Sequence, residues 1–180
     1  MLDGNLVADA AVQIPIFFYL KPGVMKPESD DFHQTDAQAV KSCIQDYGVE
    51  IGKVTEIAFD SKMAGISIED EDFNSVTRFD SWLDMGCQLY IKYFDKNHRD
   101  LVNFLTGCPP TGDHGPKILR WKEEKPEAYK HIAKFGMPAD YVAGKMVILK
   151  DENAFMDYTF IHFSGFGDAQ KVAGRTNCLN

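Results

Sequence analysis

The sequence predicts an α+β fold: a single domain with a largely antiparallel or mixed sheet and about four helices. Three observations predict it. Stretches of alternating apolar residues are interleaved with stretches of helical spacing, but not in the strict strand–helix order of a doubly wound sheet. The chain has 180 residues, 44% hydrophobic and 26% charged, which suits one domain with one sizeable core. Glycine and proline punctuate the segments at intervals typical of short connections.

Residues 12–20 read as a strand, and Pro15 within it, unable to donate to a ladder, places that strand at an edge. Residues 21–31 form a loop. Thr35-Asp-Ala-Gln38 has the form of a capping box for a helix to Tyr47, with Ala37, Val40 and Ile44 inward and Gly48 as its stop. Residues 54–59 and 63–68 read as a hairpin turning at Asp60-Ser61-Lys62. After the acidic run Glu69-Asp-Glu-Asp72, the spacing of Phe73, Val76, Phe79, Trp82 and Leu83 predicts a helix over 72–84. Its acidic start would meet the positive end of the helix dipole.

Alternation over 87–93 predicts a half-buried strand. A helix capped by Asp95 follows and ends at Gly107, burying Leu101, Val102 and Leu105. Residues 108–116, with three prolines and two glycines, read as a rigid loop. A short strand over 117–121 precedes a helix from Pro126 to Phe135. Residues 145–149 and 155–163 read as a final hairpin. The domain is expected to span 1–163, and 164–180 to be a Gly-rich tail.

A net charge of −8 and a pI near 5.0 repel phosphate backbones and anionic lipid, so neither nucleic acid nor membrane is expected as a partner. No apolar run approaches the roughly 20 residues that span a bilayer. The start of the chain lacks the basic and apolar regions of a signal peptide. Cys43, Cys87, Cys108 and Cys178 are scattered, which suits reduced thiols in a cytoplasmic setting or within an assembled particle. No motif calls for a cofactor.

Three sequence features bear on chemistry. His33-Gln-Thr35 and His162-Phe-Ser164 resemble the paired H-x-T/S motifs of two-histidine phosphoesterases. That resemblance implies one imidazole as base and the other as acid on a cyclic or bridging phosphate; the competing reading uses Thr35 as a helix cap. Cys108, Asp113 and His114 collect metal-ligand types on one loop, although a site needs further groups from elsewhere. Ser164-Gly-Phe-Gly-Asp168 follows a predicted strand like a phosphate loop, but Gln170 stands where the third glycine belongs.

With no dense catalytic constellation, the sequence points to contact rather than catalysis. The leading expectation is a non-catalytic structural or assembly subunit, such as a phage or virus particle component, with protein partners or copies of itself. Gln13, Pro15, Phe17 and Phe166 would meet those partners through the edge strand and the tail. An acidic immunity or inhibitor protein against a basic enzyme is the second expectation. A small two-histidine hydrolase built on His33 and His162 is the third.

Overall fold

The computed structural model of the chain describes residues 4–14, 26–62, 65–112, 114–157, 160–161, 164–165, 167–168 and 173–174. Among these the fold is mixed helix and sheet, with five α-helices and two small antiparallel ladders. No described helix is long and apolar enough to cross a membrane.

Helix α1 spans Ser29–Tyr47, seven residues longer at its start than the capping box implied. Asp30 and Asp31 in its first turn meet the positive end of its dipole. Thr35 is therefore no cap. It lies inside the helix, and its hydroxyl donates back to the carbonyls of Asp31 and, at 3.2 Å, Phe32. The expected stop holds: Gly48 has φ 62°, the left-handed C-cap. Phe32 packs with Phe79 and Val142, and its ring meets Phe79 edge to face at 5.2 Å.

The hairpin over 54–68 does not form. Residues 54–62 take no regular structure, with Ile57 62% exposed, and 63–64 lie outside the described residues. Strand β1 (Ser67–Glu69) instead pairs antiparallel with β2 (Lys134–Gly136), Ile68 opposite Phe135. Most of the edge strand predicted at 12–20 also lies outside the described residues, and 12–14 are not strand.

The helix expected over 72–84 is absent too. The Asp70 carboxylate accepts the backbone N–H groups of Asp72 (2.9 Å) and Asn74 (2.8 Å), which turns the chain back. The returning segment bonds to β1 through Val76 N–H to Ile68 O (2.9 Å). Asp80 and Ile66 exchange both bonds, at 2.9 and 3.0 Å. The periodic apolar residues serve a turn and a return strand, so the acidic run meets no helix dipole.

The predicted strand at 87–93 is the start of helix α2 (Gln88–Thr106). The Asp84 carboxylate accepts Gly86 N–H at 2.8 Å and opens a 3-10 turn, Met85–Cys87, that runs into α2. The alternation there was coincidental: Leu89 is 73% exposed. Gly107, φ 76°, ends α2 as expected. Residues 117–121 are likewise helix, within α3 (His114–Glu124). Pro126 is at the start of a helix as expected, but α4 stops at Tyr129 because β1 draws 134–136 into its ladder.

Of the final hairpin, residues 145–146 end helix α5 (Pro138–Met146), Asp151–Asn153 form a 3-10 turn, 155–157 are irregular, and 158–159 and 162–163 lie outside the described residues. In the expected tail, β3 (Gly167–Asp168) pairs with β4 (Ala173–Gly174), and α2 packs on β3.

Phe73, 3% exposed, stacks on Tyr141 and lies against Gly144 of α5. A Cβ at Gly144 would fall 2.2 Å from the Phe73 ring. Gly144→Ala is therefore expected to lower the unfolding free energy by about 1–3 kcal/mol despite alanine's better helix propensity, read from urea denaturation.

Candidate functional site

Period-two alternation gives β1 two faces. Ile66 and Ile68 point one way, onto Ile118 of α3. Ser67 and Glu69 point the other way, towards the start of α5. Each face carries buried charge.

On the α3 face, Asp80 is fully buried opposite Ile66. Its carboxylate accepts the Lys26 ammonium and, at 2.9 Å, the Trp121 indole N–H. Lys117, 1% exposed, donates to the carbonyls of Asp80 (2.9 Å) and Ser81 (2.6 Å). Arg120 donates to Asp84 Oδ1 at 3.2 Å. Burial opposes the charge on Asp80, but Lys26, Lys117 and the indole outweigh it and hold the carboxyl below its ordinary value. Burial lowers Lys117, against the pull of Asp80. The cluster fixes the turn 81–84, and on that turn Trp82 stands 54% exposed. The buried Asp84 Oδ2 has no hydrogen-bond partner among the described residues, the Lys26 ammonium lying 4.0 Å away.

On the α5 face, Glu69 and Asp140 line a cavity of 180 Å³ with Phe73, Phe135, Tyr141 and Phe155. Glu69 packs against β2: a Cβ at Gly136 would lie 3.4 Å from its Oε2. Burial pushes the Glu69 carboxyl up to about 8, Ser67 partly offsetting this and Asp140 adding to it. Burial likewise raises Asp140 to about 6. Asp140 Oδ2 accepts Met137 N–H at 3.2 Å, capping α5.

The structure does not assemble the residues singled out from sequence. His33 lies half-buried on α1, and His162 is outside the described residues. Cys108 is exposed and contacts the Thr106 hydroxyl; Asp113 is outside the described residues. His114 is buried, its Nε2 2.7 Å from Gly65 O, and burial pushes its pKa down to about 4. It is a neutral donor within the core. Among the described residues, no group of three or more His, Cys, Asp or Glu is placed to hold a metal. Gln13 is exposed; Pro15, Phe17 and Phe166 are outside the described residues.

Sequence reasoning missed Asp80, Lys117 and Glu69. The available signal was a charge inside an apolar run: Asp80 between Phe79 and Trp82, Lys117 before Ile118-Leu119, Glu69 after Ile66-Ser-Ile68. Such charges are buried only when paired or neutralised.

Comparison with known proteins gives a consistent picture. The profile of the FGGY family of carbohydrate kinases, N-terminal domain, matches residues 2–173. A xylulose kinase of Bacillus subtilis (strain 168) is 24% identical over 145 residues, 80% of this chain and 29% of that protein. The fold is shared with a xyloylose kinase from Brucella ovis (TM-score 0.77, 15% identity, 93% of this chain, 33% of that one). It is also shared with Plasmodium falciparum glycerol kinase with ADP (TM-score 0.73, 14% identity, 88% and 32%). The chain thus spans about a third of the length of these relatives. The family match overturns the expected assembly or virion subunit, and with it the immunity-protein and two-histidine phosphoesterase alternatives.

Two outcomes are expected. Asp80→Asn leaves Lys26 and Lys117 without their counter-charge, so it should cost about 3–5 kcal/mol in urea denaturation. The second concerns pH. Unfolded Glu69 and Asp140 return to carboxyl values near about 4. Between that value and about 8 the folded chain holds more protons, so stability falls as pH rises through the window. Urea midpoints from pH 5 to 8.5 should decline, by up to about 1.4 kcal/mol per unit for each extra proton held, and Glu69→Gln should flatten the upper half.

Proposed function

Because the chain belongs to the FGGY family of carbohydrate kinases, we propose that it serves phosphoryl transfer from a nucleoside triphosphate to a hydroxyl of a small neutral carbohydrate, a ketose or polyol of the xylulose or glycerol class. The observation that carries this reading is the match of the family's N-terminal domain across residues 2–173.

The geometry supports a carbohydrate-binding role within that reaction. Trp82 offers an exposed indole on a turn anchored by Asp80, Lys117 and Arg120. An amphipathic ring held on a rigid base suits the C–H face of a sugar. The net charge of −8 favours a neutral polyol over an anion at this surface. The matched kinases are about three times as long as this chain, and the reaction proposed is that of the full-length kinase fold. A cytoplasmic setting accords with it: Cys43, Cys87 and Cys108 are free thiols, and nucleoside triphosphates are cytoplasmic.

Thermal-shift and calorimetric titrations of the chain with D-xylulose, glycerol and gluconate test the reading. Xylulose or glycerol is expected to bind saturably, and gluconate more weakly. Trp82→Ala should weaken binding tenfold or more while changing stability by under about 0.5 kcal/mol, since the ring is half exposed. Absence of binding by every carbohydrate, or full binding by Trp82→Ala, overturns the assignment of the site.

A further inference from the structure

The cavity between β1, β2 and α5 plays no part in the carbohydrate reading, and its chemistry is independent of that reading. Glu69 is 1% exposed, yet its Oε1 has no hydrogen-bond partner among the described residues. Native folds rarely leave a buried acceptor without a donor. Asp140, 3% exposed, lines the same space, and its charge disfavours that of Glu69. Asp140 accepts the Met137 N–H, but among the described residues neither carboxyl has a donor that also brings positive charge.

The surroundings narrow the kind of donor. A volume of 180 Å³ falls below the roughly 300–1,000 Å³ of pockets for drug-sized ligands, so the ligand has few heavy atoms. Phe73, Phe135, Tyr141 and Phe155 line the cavity, and aromatic faces attract organic cations. The Tyr141 hydroxyl is already committed to Asp30. A hard metal ion asks for six or more oxygens, whereas among the described residues no three carboxylate, imidazole or thiol groups gather to hold one.

We propose that this cavity binds a compact organic ammonium ion, its N–H groups donating to Glu69 Oε1 and its charge lying between Glu69 and Asp140. A rival donor sits in the chain itself: Lys134 also lines the cavity.

The test titrates the full chain with ethanolamine hydrochloride by calorimetry at constant ionic strength. Ethylene glycol, of nearly the same shape but uncharged, is the control. Saturable binding of ethanolamine is expected, with none of ethylene glycol. Glu69→Gln keeps the shape of the neutral carboxyl but cannot ionise against an ammonium ion, so it should fold and bind ethanolamine at least tenfold more weakly. The comparison of the two probes on the unaltered chain stands whatever that variant does. Equal binding of both probes would show a hydroxyl pocket and overturn the proposal, as would undiminished binding by folded Glu69→Gln. Binding seen only in Lys134→Met would show that the chain's own lysine occupies the site, and no saturable binding in any variant would be equally fatal.

Discussion

Asp80 is the residue on which the described structure turns. It is fully buried, and its carboxylate and carbonyl tie three distant segments together: Lys26, the turn 80–84, and Lys117 with Trp121 on α3. A charge taken out of water must be matched or lost, so these partners cannot be loosened one at a time. The exchange of backbone bonds between Asp80 and Ile66 then lays the return segment along β1. Turn, strand and helix are set against one another by a polar constraint, with the apolar cluster of Ile66, Ile68 and Ile118 packed beneath it.

The second organising fact is the alternation of β1. Three residues place isoleucine against α3 and two polar side chains against the start of α5. The two faces solve the problem of buried charge differently. On the α3 face, cations and an indole neutralise aspartate, and its carboxyl is held low. On the α5 face no cation among the described residues pairs with Glu69, and its carboxyl rises until it is neutral up to a pH of about 8. This FGGY-family N-terminal domain thus carries one rigid, charge-paired platform and one protonation-poised cavity on the two faces of a single strand.

The family explains why motif searching fell silent. The chain keeps the fold at 24% identity to a xylulose kinase and 13–18% to solved kinases. The residues that shape the candidate site come from positions 26, 80–84 and 117–121, and no local window contains them together.

What the sequence determined by itself was local. Gly48 and Gly107 end helices because a left-handed residue is easiest without a Cβ, and Pro126 starts one because its missing N–H is not needed there. Mixed α and β content, and the lack of a long apolar helix among the described residues, also followed from composition and spacing. The tertiary structure alone decided residues 54–59, 72–84, 87–93 and 117–121, where periodicity pointed to the wrong element. At these positions side chains compete with the periodic pattern for the backbone. Asp70 bends the chain by taking two N–H groups, Asp84 opens α2, and Lys117 holds carbonyls 36 and 37 residues away. A hydrophobic period records which residues are apolar, not where a buried charge must find its partner, and in this chain the partners set the path.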